Sequence, residues 1–339
     1  MVSAPLKAER AAAGAVQSVR RSGAKLSRVT QSFGFPWRAP SVPKGLEVPA
    51  EPKKVGADYD TTWARKAPAR LARAAIVEGP LRLAIRLVAD PEREGLDRLE
   101  DLLRRHDDDR DGGPPPVIFA ANHHSHLDTP LLLTALPEPW RHRTVVGAAA
   151  DYFFGTRVTG TLSALALNAI PIERTRVNRR SADLAGSLVD DGWSLLIFPE
   201  GGRSPDGWGQ PFRGGAAFLS VRTGAPVIPV HIEGTGAILG KGMNRPKRGR
   251  AVVTFGAPLR PDAGEDARRF TVRIERAVNA LGDESSSDWW TARQRAARQE
   301  SPVLSGPDLG SWRRAWALGD SRGRGLRRRP ARPRWPDLG

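Results

Sequence analysis

The stretch VIFAANHHSHLDTPLLLTAL, residues 117–136, decides the reading of this chain. It opens with VIFAA, a short apolar run of the kind that forms a strand buried on both faces. It closes with DTPLLLTA, where an acidic first residue and a proline in the first turn mark a helix start. Between them lies NHHSHLD, residues 122–128, which holds three of the six histidines. Working outward, the alternation repeats. AIPIE at 169–173, SLLIF at 194–198, VIPVHI at 227–232 and AVVTF at 251–255 read as strands. Residues 181–190, 214–223 and 263–281 read as helices between or after them. This pattern predicts an α/β fold with a central, largely parallel sheet flanked by helices. In such folds ligands bind outside the carboxyl ends of strands, and NHHSHLD sits there.

Composition narrows the chemistry. The chain has 339 residues and no cysteine, which excludes disulfides, thiolate metal sites and thiol nucleophiles. The net charge of +16 is concentrated at the ends. Residues 1–57 carry 10 basic against 3 acidic side chains, and residues 283–339 carry 12 against 7. Both ends are also rich in proline and read as disordered basic tails. Basic ends on a modestly charged body suit an anionic membrane surface, and no nucleic acid is expected as partner. No run approaches the roughly 18 apolar residues of a membrane span. Residues 58–110 instead read as amphipathic membrane-associating helices, interrupted near Gly79-Pro80 and decorated by Arg65, Lys66, Arg70, Arg73, Arg82 and Arg86. The loop HDDDRDGGPPP, 106–116, begins like a calcium loop, but Ile118 stands where the bidentate Glu belongs, so it reads as a linker. Residues 111–282 are then the catalytic domain.

His123 and Asp128 are the candidate base and its orienting carboxylate. On a continuous helix five positions would set them on different faces; a turn running into a helix removes that restriction. A carboxylate on one ring nitrogen fixes the tautomer and frees the other nitrogen to take a proton. The run His124-Ser-His126-Leu-Asp128 also resembles part of a binuclear metal-hydrolase motif, but Thr129 replaces its last histidine, and no metal is expected. FPEGGRS, 198–204, follows another predicted strand. Its glycines allow close backbone approach, and Arg203 offers a planar fork for a phosphate or carboxylate. Two other function classes remain open at this point. One is a metal-dependent hydrolase using the HSHLD cluster. The other is a non-catalytic membrane- or nucleic-acid-binding protein acting through its tails.

NHHSHLD resembles the N-H-x-S-x-x-D form of the H-x-x-x-x-D motif of the glycerolipid acyltransferases. Three further blocks match in order: NAIPIERT at 168–175, FPEGGRS at 198–204 and VIPVHIEGT at 227–235. FGAPL at 255–259 is similar to the family's closing strand end. The resemblance implies that His123 and Asp128 are catalytic, that Arg174, Glu200, Gly201 and Arg203 bind the acceptor and its phosphate, and that Pro229 lies near the acyl chain. Gly202 departs from the usual Thr of the third block, and Arg213 stands where Lys is common. The implied reaction is transfer of a fatty acyl group from a thioester, acyl-CoA or acyl carrier protein, to a hydroxyl of a lysophospholipid, with 1-acyl-glycerol-3-phosphate the leading acceptor. The thioester is a co-substrate, and no bound cofactor is expected. The implied location is the cytoplasmic face of a membrane, peripheral or monotopic.

Overall fold

A computed structural model describes residues 56–107, 114–173 and 179–306. The two basic tails to residue 55 and from 307, most of the 106–116 loop and Arg174 lie outside the described residues. Seven strands form one sheet: β1 Pro91–Glu94, β2 Ile118–Ala121, β3 Thr144–Ala149, β4 Ala169–Ile172, β5 Ser194–Ile197, β6 Val227–Glu233 and β7 Ala251–Phe255. Their order is β1-β7-β6-β2-β5-β3-β4, and every neighbouring pair is parallel except β6 with β7. The expected α/β layer with a largely parallel sheet is therefore observed.

β2 lies at the centre, and its side chains alternate between two cores. Val117, Phe119 and Ala121 join one cluster with α2 (Arg82–Ala89) and α4 (Asp128–Ala135); α1 (Ala67–Ile76) and α3 (Glu100–Asp107) precede these helices in the chain. Ile118 and Ala120 join the opposite cluster. Neighbours there come from α8 (Arg179–Asp190), α9 (Gly215–Thr223) and α11 (Ala267–Ser286). A strand with period-2 side chains that are apolar at every position can only be buried on both faces, which is what the run VIFAA dictates. Short helices α5 (Glu138–Arg141) and α6 (Ala150–Phe153) and the longer α7 (Arg157–Leu167) flank β3, and α10 (Thr235–Leu239) follows β6.

Two domain boundaries shift, and one expected helix interruption closes up. Within 58–110, only α1 and α2 form the expected amphipathic rod; β1 then joins the edge of the sheet, and α3 follows. β1 reads PERE, and an edge strand with charged side chains gives no apolar signal. Residues 283–306 are not a free tail. α11 continues through Ser286, α12 spans Trp289–Ala297, and Leu304 packs back on Gly209 and Gly282. Finally, Gly79-Pro80 does not break the rod: it forms a π-turn, Val77–Leu81, which absorbs the missing N–H of Pro80.

The rod is anchored through ions and exposes apolar side chains. Glu78 of the π-turn takes Arg82 at 2.5 Å, the buried Arg141 at 2.7 Å and His142 at 3.2 Å. Arg73 is buried rather than solvated. It donates to the carbonyls of Ala64, Ala164 and Leu165, the last two in the final turn of α7, where unpaired carbonyls favour a cation. Burial, then the charges of Arg65 and Arg70, lowers its pKa to about 10, so it stays charged at neutral pH. Leu71, Leu83 and Leu87 point outward at 72%, 59% and 57% exposure. Among the described residues no helix is long and apolar enough to cross a membrane.

Candidate active site

The candidate site forms at the carboxyl ends of β2 and β5, which are hydrogen-bonded neighbours. After β2, the side chains of Asn122, Ser125 and Asp128 in NHHSHLD act as latches. Asn122 extends the β2–β6 ladder with its side chain: Nδ2 donates to the Ile232 carbonyl at 2.9 Å, and Oδ1 accepts from Ile232 N at 2.7 Å. Ser125 Oγ donates to the Leu239 carbonyl at 2.5 Å and accepts from Leu127 N at 3.0 Å. Asp128 is fully buried at the start of α4. Its Oδ2 accepts from His124 N at 2.7 Å, Ser125 N at 2.8 Å and His123 Nδ1 at 2.8 Å.

These bonds assign the imidazole's proton. Oδ2 already accepts two backbone N–H groups, so it accepts from the ring as well, and Nδ1 carries the hydrogen. Nε2 keeps its lone pair. The ring stacks on Phe198 with centroids 4.1 Å apart and planes 20° from parallel. The backbone of His123 is gripped on both sides: its N–H donates to Glu200 Oε1 at 2.8 Å, and its carbonyl accepts from Ser204 N at 2.9 Å. The five-residue spacing thus closes through a turn, and the expected pair comes together.

Glu200 has a different job from the expected one. Both its oxygens hold protein backbone, Oε1 the His123 N–H and Oε2 the Gln210 N–H at 2.9 Å. It staples the β5 turn to the β2 turn rather than reaching for a substrate. Burial pushes its carboxyl up to about 8, against the pull of those two N–H donors. Gly201 has φ +72°, a conformation that favours glycine, and a Cβ there would push aside the Arg213 side chain 2.8 Å away. Arg203 stands partly exposed and, among the described residues, without an acidic partner. It lies close enough to His126 to depress that imidazole's pKa, second only to burial. His126 in turn stacks on Tyr152 of α6, with the Tyr152 hydroxyl 3.2 Å from Nε2. Pro229 is buried in β6, where Gly256 leaves it room: a Cβ on Gly256 would fall 2.7 Å from Pro229 Cγ.

Sequence reading missed several of these residues. Phe198 and Gln210 carried no chemical signal of their own; Gln210 Nε2 also braces the carbonyls of Gly202 and Arg203. Tyr152 lies on a four-residue helix outside every block. His124, His126 and Asp128 do not converge as metal ligands, and among the described residues no group of three or more His, Cys, Asp or Glu is arranged to hold an ion. His231, buried in β6, has its pKa lowered to about 3 by burial and then by His124, and is neutral at pH 7.

The family model described as Acyltransferase matches residues 99–233, which contain β2 through β6 and both gripped turns. Over those residues the chain is similar to the glycerolipid acyltransferases. Among curated relatives, the chloroplastic 1-acyl-sn-glycerol-3-phosphate acyltransferase BAT2 of Brassica napus is 47% identical over 55 residues, 16% of this chain and 16% of its own length. The 1-acyl-sn-glycerol-3-phosphate acyltransferase of Cocos nucifera is 30% identical over 86 residues, 25% of this chain and 28% of its own. The matches thus span roughly a sixth to a quarter of those acyltransferases. Among solved structures, the 1-acyl-sn-glycerophosphate acyltransferase PlsC from Thermotoga maritima aligns with a TM-score of 0.48 at 23% identity, covering 66% of this chain and 83% of that one.

Proposed function

We propose that this chain moves a fatty acyl group from a thioester to the free hydroxyl of 1-acyl-glycerol-3-phosphate. The observation that carries the reading is His123: Asp128 holds its Nδ1, Glu200 and Ser204 hold its backbone, and among the described residues its Nε2 has no hydrogen-bond partner. The acceptor hydroxyl gives its proton to Nε2 as its oxygen attacks the thioester carbonyl. The carbon–sulfur bond breaks, and the leaving thiolate takes the proton back from the imidazolium. General-base assistance of this kind is worth about 10² to 10⁴ in rate. Asp128 keeps the ring in the required tautomer and balances the passing positive charge. Arg203, with Arg174 from the second block, grips the acceptor phosphate. Pro229 helps shape the floor beneath the acyl chain.

The curated relatives carry this acceptor in their names, which supports choosing it over glycerol 3-phosphate. Acyl-CoA or acyl carrier protein supplies the thioester, and no bound cofactor takes part. The exposed leucines of a basic rod support a peripheral position on the cytoplasmic face of a membrane, where such an acceptor resides. The test is a radiolabelled assay with acyl-CoA and acyl carrier protein donors against a panel of lysolipids and glycerol 3-phosphate. Label entering lysophosphatidate foremost is the expected result. Label only in another acceptor, or only in free fatty acid, would overturn the reading.

A further inference from the structure

Between Glu233 and Asp262 the chain has no acidic residue and six basic ones. Five of these, Lys241, Arg245, Lys247, Arg248 and Arg250, fall in the loop between α10 and β7. Arg250 pairs with Glu92 of β1. Lys241, Arg245, Lys247 and Arg248 are exposed and, among the described residues, have no acidic partner. Four like charges along eight residues repel one another, and an anion bound from outside would relieve that repulsion.

The position of the loop identifies that anion. β6 and β7 are antiparallel, with Glu233 opposite Val252, so the loop emerges at the edge of the sheet where β2 and β5 also end. That edge carries His123 and Arg203. The Ser125 hydroxyl binds the Leu239 carbonyl just before the loop begins. At the other end, Gly249 N donates to the Val88 carbonyl at 3.0 Å, which fixes the loop to the end of α2. Val88 follows the exposed Leu87, with exposed Leu83 one turn earlier and Arg86 beside it. Outward leucines next to unpaired cations match a lipid surface, whose headgroups are anionic and whose interior is apolar. The phosphates of a soluble nucleotide would gain nothing from the leucines.

We propose that residues 240–250 form a docking loop for anionic phospholipid headgroups, which turns the His123 edge of the sheet toward the bilayer. The idea rests on the lipid acceptor proposed above. The test uses the full chain carrying K241Q/R245Q/K247Q/R248Q, with K247Q/R248Q as a milder variant should the first fail to fold. Binding is measured by sedimentation with phosphatidylcholine vesicles, with and without phosphatidylglycerol. Each cation near such a surface is worth about fivefold in binding. Because basic residues elsewhere still attract the vesicle, a fall of about tenfold or more on the phosphatidylglycerol vesicles is expected, and a smaller one for the double variant. Transfer to lysophosphatidate in detergent micelles, and the KM for acyl-CoA there, should match wild type. Unchanged vesicle binding would overturn the proposal. So would a raised KM for acyl-CoA in micelles, which would assign the loop to the donor's phosphates. If wild type transfers no acyl group at all, the acyl-transfer reading fails, while the vesicle comparison still decides the loop.

Discussion

The turns after β2 and after β5 stand side by side and use their polar groups in opposite ways. In the first, Asn122, Ser125 and Asp128 are all spent on backbone groups and on one ring nitrogen, and the single product is a fixed imidazole with a bare Nε2. The second gives Glu200 to hold the first and, among the described residues, leaves the Arg203 guanidinium without an acid. One turn is built for proton transfer, where placement within a fraction of an ångström matters. The other is built to receive a charge, where an unpaired cation matters more than a rigid one. Motif residues next to each other in sequence therefore divide into those that hold and those that act.

The largest effect should come from the acting member of the first turn. H123A should lower turnover by about 10³-fold or more in a steady-state transfer assay, with the thermal midpoint close to wild type. D128N keeps the volume but offers an N–H to Nδ1, which favours the wrong tautomer; a loss of about 10²- to 10³-fold is expected in the same assay. If D128N proved silent, the first turn would not be a base-orienting device. In the second turn the effect should fall on binding. R203A removes a charge-assisted contact of about 2 kcal/mol, or about 30-fold in the KM for lysophosphatidate, with kcat much less changed. A loss confined to kcat would make the two turns alike.

The smallest effect concerns Glu200 and is read in stability. Its carboxyl titrates near 8 in the fold, well above the ordinary carboxylate value of 4.5. The folded state therefore holds a proton that the unfolded chain has already lost between about pH 4.5 and 8. Its contribution to stability is complete below that window and declines as pH rises through it. Thermal midpoints measured across the window should show this decline in wild type, and E200Q should lack that component. A decline of equal steepness in E200Q would place the effect elsewhere.

Much of this was legible in the sequence because buried parallel strands leave an unbroken apolar trace: VIFAA, AIPIE, SLLIF, VIPVHI and AVVTF all became strands. β1 left none, since an edge strand reading PERE pairs through its backbone and sends Glu92 to Arg250. β3, TVVGAA, was missed although it is apolar; three small residues carry little strand preference, and Gly147 is there because Ile197 and Ile172 close over it. α12 was hidden because its side chains are mostly polar or exposed and only Ala292 is buried. In the site, the His123–Asp128 pair could be read from spacing and chemistry. The role of Glu200 could not, because a carboxylate that binds backbone N–H groups looks in sequence like one that binds a substrate.

Proton transfer at His123 needs one ring nitrogen bare and the other protonated. Nitrogen-15 NMR of histidine-labelled protein reads this directly. In its neutral form the His123 ring should show a protonated Nδ1 and an unprotonated Nε2, with the signals of that tautomer lost in D128N. A ring that carries its hydrogen on Nε2 in wild type would contradict the account.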